Sequence, residues 1–230
     1  MRVIAGKYRR RKLKSNPGKI TRPITDQAKE MLFERLQNDV SHKRIADVFA
    51  GTGTIGLEAL SRGANSVVFM EKDRTAFRLL RENVIALGAE QESLCWCVDV
   101  LRSSFAPKRV PQMLPYETVF FDPPYAMVEK ISPGEVLYKS LERLAGDHVT
   151  AENALLVLRT PEKKCFEIPL VWQKDRELKW GSMVFHLYEK STSAEEPHDD
   201  SSDEDRRPMS SQTNRTQDPK PSQSGSDNQD

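Results

Sequence analysis

Between residues 44 and 158, short apolar runs alternate with segments of helical periodicity, and this alternation restricts the fold more than any other feature of the chain. Arg44–Ala50 reads as a strand, followed by a glycine-rich turn and a helix over Ile55–Arg62. Ser66–Met70 is a second strand. Arg74–Leu87 reads as a helix with Phe77, Leu80, Val84 and Leu87 on one side, closed by Gly88. Leu94–Val98 is apolar on both faces, as a buried parallel strand is. Thr118–Phe121 and Ala154–Leu158 are two further strands, with a helix over Gly134–Leu144 between them. Strands separated by helices need crossover connections, so the sheet is expected to be mostly parallel and covered on both faces. Val171–Trp180 and Ser182–Glu189 are split only by Gly181, which predicts an antiparallel hairpin at the sheet edge. Upstream, Thr25 or Asp26 can cap a helix whose apolar face is Ala28, Met31, Leu32 and Leu36.

Charge is unevenly distributed. Residues 1–25 hold nine bases and no acid, while residues 191–230 hold ten acids against four bases. The last forty residues therefore carry −6 and the first 190 carry +7, although the whole chain is nearly neutral at +1. A basic body suits a polyanionic partner. The tail has almost no apolar side chain and is expected to be disordered. The N-terminal segment is different, because Met1-Arg-Val-Ile-Ala-Gly6 alternates polar and apolar residues and so predicts a folded basic arm. Three organisational units follow: the arm (1–26), an α/β domain (27–190) and the tail (191–230). The three cysteines, Cys95, Cys97 and Cys165, lack the spacing of a zinc site or a disulfide framework. Cys95 and Cys97 lie in an apolar run and are expected to be buried thiols. Arg2 is followed by no apolar core of a signal peptide, and no run approaches the length of a membrane span, so a cytoplasmic protein is expected.

The first strand runs into Gly51-Thr-Gly53-Thr-Ile-Gly56. Glycines there let the backbone turn sharply and let a ligand approach the main chain, and the helix behind offers unpaired N–H groups. The same spacing occurs in dinucleotide enzymes. Glu71, twenty residues after Gly51, can accept both hydroxyls of an adenosine ribose, which fits NAD and S-adenosylmethionine equally. Asp47 fits one of them better. A carboxylate inside the first strand needs a partner, and the ammonium of a methionine moiety would be one. Asp99 ends the third strand, where it either accepts from an adenine amine or is simply a solvated strand end.

The most informative segment is Asp122-Pro123-Pro124-Tyr125, which follows the apolar strand Thr118–Phe121. Ligands of open parallel sheets bind at that edge. A guanine amine is a poor nucleophile, because its lone pair is delocalised into the ring. Two acceptors set against its two N–H bonds would draw the nitrogen towards tetrahedral geometry. Asp122 supplies a carboxylate and the Pro123 carbonyl a second acceptor. Proline adds no competing donor and stiffens the loop, and Tyr125 can stack on the base. No metal is required.

Taken together, Met1-Arg-Val-Ile-Ala-Gly-Lys7, Thr21-Arg-Pro-Ile-Thr-Asp26, Asp47-Val-Phe-Ala-Gly-Thr-Gly53, Gly56-Leu-Glu-Ala-Leu-Ser-Arg-Gly-Ala64 and Asp122-Pro-Pro-Tyr125 resemble the bacterial 16S ribosomal RNA guanine-N2 methyltransferases of the RsmD type. The resemblance covers residues 1–190 in order. It implies the class I S-adenosylmethionine-dependent methyltransferase fold, Rossmann-like, with a seven-stranded sheet. It implies cofactor contacts at Asp47, Phe49, Ala50, Gly51, Gly53, Glu71, Lys72, Asp99, Val100 and Asp122, with Asp122, Pro123, Pro124 and Tyr125 at the target base. RNA contacts are expected at Arg2, Lys7, Arg9, Arg10, Arg11 and Arg22, on 16S rRNA in a small subunit or its assembly intermediate, by a monomer. Three rivals stay open: a nicotinamide oxidoreductase, a non-catalytic RNA-binding protein on the same scaffold, and a DNA adenine-N6 methyltransferase.

Overall fold

A computed structural model describes residues 1–15 and 24–191. Seven strands form one sheet in the order β3-β2-β1-β4-β5-β7-β6. They are β1 (Arg44–Val48), β2 (Ser66–Glu71), β3 (Ser93–Cys97), β4 (Tyr116–Phe121), β5 (Thr150–Pro161), β6 (Trp172–Trp180) and β7 (Met183–Lys190). The helices are α1 (Asp26–Arg35), α2 (Gln37–Val40), α3 (Thr54–Ser61), α4 (Arg74–Leu87), α5 (Tyr125–Val128) and α6 (Val136–Leu144). Strands β1 to β5 are parallel, and β7 runs antiparallel to both β5 and β6. The predicted hairpin therefore closes the sheet edge, with β7 inserted between β5 and β6.

Alternate residues of each strand feed two cores, as the two-residue period of a strand requires. One face carries Ile45, Val67, Phe69, Phe120 and Val157, packed under α1, α3 and α4. The other carries Ala46, Val68, Met70, Phe121 and Leu156, packed against α5 and α6. Helix α1 starts where Thr25 accepts from the Ala28 N–H. Helix α4 starts at an Asp73 cap and ends with Gly88 in the left-handed region. Strand β3 departs from expectation. It forms the far edge of the sheet and is only partly buried, with Cys97 exposed and Cys95 half-buried. The run is apolar on both faces, but strand order leaves one face under-covered. Burial still pushes the Cys95 thiol up to about 11.

The basic arm is folded into the first core through Val3, Tyr8 and Leu13. Residues Arg2 and Lys12 pair across it as an antiparallel bridge. Its anchor is Glu58 of α3, fully buried, which accepts from the Ile4 N–H (2.8 Å), the Ala5 N–H (3.0 Å) and Arg62 Nε (2.9 Å). Lys29 of α1, 2% exposed, lies 3.1 Å from the same carboxylate and donates to the Arg2 carbonyl. One turn further along α3, Ser61 accepts from the Tyr8 N–H. Gly6 crosses the end of α3 so closely that a Cβ there would lie 1.7 Å from the Ser61 carbonyl oxygen. Asn83 of α4 holds the arm's far end, pairing with both the N–H and the carbonyl of Lys14.

Candidate active site

All the residues singled out on the sheet gather at the C-terminal ends of β1 to β5, where the chain leaves β3 on one side of β1 and returns to β4 on the other. Open α/β sheets take their ligands in the crevice at such a reversal, here the one between β1 and β4. On one wall, Asp47 is 1% exposed, and its Oδ2 accepts from the Gly56 N–H at 2.9 Å. Gly56 is the third residue of α3, so the positive end of the helix supplies the partner that a carboxylate inside a strand requires. Burial nonetheless pushes the Asp47 carboxyl up to about 7; the Gly56 hydrogen bond opposes this, and the charges of Asp122 and Glu71 add to it. Phe49 leaves the strand with φ 63° and packs edge-on against Phe121. Gly53 caps α3 at φ 83°, and a Cβ there would lie 2.4 Å from a Leu80 methyl, so this turn admits glycine alone.

The loop is tied to β2 and to the arm. Ala50 N–H donates to the Met70 carbonyl, and Gly51 N–H donates to Glu71 Oε2 at 2.8 Å. The other Glu71 oxygen accepts from the Asp73 N–H at 2.6 Å. Each carboxylate oxygen can accept a second hydrogen bond, so both remain able to meet a diol. Asn83 donates to the Thr52 carbonyl at 2.9 Å, so one side chain clamps both the glycine loop and the end of the arm. Lys72 and Asp99 face each other across the ends of β2 and β3 at 2.6 Å, which holds the Asp99 carboxyl below its usual range. Val100 beside it is buried. This donor set fits an adenosyl cofactor: an acid at the β2 end, a second acid at the β3 end, and a glycine loop whose Gly51 has no atom within 4 Å of where a Cβ would stand.

On the other wall, the Asp122 N–H donates to the Val48 carbonyl at 3.2 Å, which ties the Asp-Pro-Pro-Tyr loop to the end of β1. Pro124 caps α5, and its carbonyl is taken by the Met127 N–H; no backbone hydrogen bond among the described residues ends on the Pro123 carbonyl. Tyr125 is the first residue of α5 and is half-buried. One residue that the sequence pattern did not single out completes the wall. Arg159 of β5, 7% exposed, donates from Nε to Asp122 Oδ1 at 2.7 Å, and its guanidinium carbon lies 5.6 Å from the centre of the Tyr125 ring. Burial raises the Asp122 carboxyl above its ordinary range, while the Arg159 charge and hydrogen bond pull it back. An arginine ending the apolar run Leu155–Leu158, at the ligand-binding edge, was the available signal.

The expected RNA contacts divide into three groups. Arg2 pairs with Asp26, Lys7 with Glu92, and Arg11 donates to the Ala86 carbonyl in the last turn of α4. Arg9 and Arg10 are exposed, and no ion pair or hydrogen bond from their side chains occurs among the described residues. Arg22 lies outside the described residues, as do Thr21 and Pro23 and the tail beyond Ser191. No helix among the described residues is long and apolar enough to cross a membrane.

The family described as conserved hypothetical protein 95 matches residues 1–189. A curated relative, the ribosomal RNA small subunit methyltransferase D of Haemophilus influenzae, is 31% identical over 191 residues, which are 82% of this chain and 93% of that protein. The chain belongs to the RsmD family. Among solved structures, the putative methyltransferase yhhF from Escherichia coli matches with a TM-score of 0.68 at 28% identity, covering 84% of this chain and 99% of that one. An RNA methyltransferase from Salinibacter ruber, solved with S-adenosyl-L-homocysteine, matches with a TM-score of 0.55 at 14% identity over 78% of this chain and all of that one. The seven-stranded Rossmann-like sheet of this RsmD-family chain is thus the methyltransferase fold, with Asp47, Glu71 and Asp122 at its ligand-binding edge.

Proposed function

We propose that the chain transfers a methyl group from S-adenosylmethionine to the exocyclic N2 amine of a guanine in small-subunit ribosomal RNA. The observation that carries this reading is the Asp122 N–H to Val48 carbonyl hydrogen bond, which sets a carboxylate and the free Pro123 carbonyl directly beside the glycine loop. S-adenosylmethionine, when bound, supplies a methyl group made electrophilic by the sulfonium charge. Glu71 and the bare backbone of Gly51 hold its adenosine end, Asp47 meets its ammonium, and Asp99 with Lys72 borders the base. Asp122 and the Pro123 carbonyl each accept from one N–H of the target amine, so its lone pair points at the methyl carbon. The amine would form the new C–N bond as the methyl–sulfur bond breaks, its electron pair going to sulfur so that S-adenosylhomocysteine departs, and the extra proton on the amine would leave afterwards to Asp122 or to solvent, so no strong base is needed. Tyr125 stacks on the base. The rate gain comes from positioning and fixed charge.

Arg9 and Arg10 are exposed cations on the arm without a side-chain partner among the described residues, which suits an RNA backbone, and the relatives named as small-subunit methyltransferases support a ribosomal target. In this reading the enzyme is a cytoplasmic monomer acting on the subunit or its assembly intermediate. A thermal-shift comparison separates it from a nicotinamide enzyme: S-adenosylhomocysteine raises the melting temperature and NAD does not. Stabilisation by NAD alone would overturn the assignment of the glycine loop.

A further inference from the structure

We propose that Arg159 is the positioning residue of this site: it fixes the charge and the aim of the Asp122 carboxylate and braces the Tyr125 ring. The inference rests on reading Asp122-Pro123-Pro124-Tyr125 as the base-side wall. Arg159 follows Leu158, which is in register with Phe121, so β5 delivers the guanidinium beside the first residue after β4. The register alone puts the two side chains together, without any contribution from the loop.

The geometry is poorly suited to a purely stabilising ion pair. A guanidinium taken out of water is costly unless its donors are satisfied, and a paired arginine normally grips a carboxylate with two parallel bonds. Here the pair has one short bond, from Nε, while Nη1 is buried without a hydrogen-bond partner. A buried, unused donor needs an explanation. Methionine or leucine would fill β5 at this point at lower cost. What the guanidinium adds over these apolar side chains is a positive charge beside Asp122 and a flat face 5.6 Å from Tyr125.

The charged groups that face Asp122 are Arg159 from β5 and Asp47 from β1, with Tyr125 from α5 bordering the guanidinium. Burial favours a protonated Asp122, and Arg159 opposes it through its charge and its hydrogen bond. A protonated Asp122 would present an O–H to the target amine and lose one of the two acceptors that orient it. Without Arg159 the carboxyl should titrate higher, so the acidic limb of the rate profile should move to higher pH.

The test compares wild type, Arg159→Lys and Arg159→Met by three readouts: titration of the Asp122 carboxyl carbon by NMR, assigned with Asp122→Asn; the pH profile of kcat on small subunits; and calorimetric cofactor affinity. In Arg159→Met the Asp122 midpoint and the acidic limb should both rise by about 1–3 pH units. Turnover lost at neutral pH should be partly regained in alkali, with cofactor affinity unchanged. Arg159→Lys should keep most of the midpoint and recover part of the rate, because it retains the charge but not the flat face. An unchanged Asp122 midpoint in a folded variant, or a kcat lost equally at every pH, overturns the proposal. If Arg159→Met fails to fold, the lysine variant decides: a rate and a limb identical to wild type, or a rate as low at every pH as that of Asp122→Ala, each overturns it. A wild type that methylates no RNA would sink the reading of the site, whereas the NMR midpoint judges the Arg159 coupling without turnover.

Discussion

Burial raises both aspartates of this site, but Asp47 is held by a backbone N–H and Asp122 by a guanidinium, and each should respond to substitution in its own way. Asp122→Ala removes an acceptor from the base-side wall and leaves cofactor contacts in place. Methyl transfer should fall by on the order of 100-fold or more, about 3 kcal/mol by analogy with loss of one preorganised hydrogen bond to a reacting group, with cofactor affinity near wild type. Tyr125→Phe should be mild and Tyr125→Ala severe, because the ring stacks and the hydroxyl has no part; equal damage from both would refute the stacking role. Asp47 matters to stability as well. Its folded value of about 7 lies above the unfolded 3.8, so it favours folding most below pH 4, and that contribution is lost as pH rises to about 7. The ligand-free protein should therefore gain melting temperature on acidification from pH 8 towards 6. Asp47→Asn should flatten that gain and abolish cofactor binding; an unchanged pH dependence would mean the carboxylate is already ionised at low cost. The Asp-Pro-Pro-Tyr loop was legible in the sequence because its residue types are unusual after an apolar strand. Arg159 was not, because its partner lies across a strand pairing that periodicity does not reveal.

At the level of elements, β1, β2, β4, α3 and α4 lie within a residue or two of where the hydrophobic period puts them. Strand β3 is legible as a strand from its apolar run, but its partial burial is not, since strand order in a sheet is not written in any local pattern. Strand β5 extends beyond the apolar run at both ends: Thr150 pairs with Tyr116 of β4, and pairing with β7 carries the other end to Pro161. The motif Gly56–Ala64 turns out to serve the arm as well as the cofactor loop: Glu58 and Ser61 are its sockets. Glu58→Ala should leave the Lys29 ammonium buried without its carboxylate and should cost about 3–5 kcal/mol. Hydrogen exchange should show residues 1–15 losing protection before the sheet does. An arm that stays protected in this variant would mean that its apolar contacts at Val3, Tyr8 and Leu13 suffice.

On the scale of the whole molecule, charge is divided between the basic body and an acidic C-terminal stretch that lies outside the described residues. Of the arm's described cations, Arg2, Lys7, Arg11 and Lys14 have partners within the protein, whereas the pair Arg9 and Arg10, like Lys12, have none among the described residues, so that pair should contribute a large share of the contact with RNA. Replacing both with alanine should flatten the log–log salt dependence of RNA binding by roughly 1.5–2 units, while Arg11→Ala should act more on stability. An unchanged slope would move the RNA surface elsewhere. Truncation after Ser191 should leave methyl transfer intact or slightly faster, by removing competing negative charge; an inactive truncation would contradict that.

The guanine-N2 assignment is tested most directly by the chemical identity of the product. Purified protein is incubated with S-adenosylmethionine and small ribosomal subunits from cells that lack this enzyme, and the ribosomal RNA is digested and analysed by nucleoside mass spectrometry. N2-methylguanosine should appear in proportion to subunits with wild type and be almost absent with Asp122→Ala. Methyl groups on adenine N6, no incorporation into ribosomal RNA, or full incorporation by Asp122→Ala would contradict it.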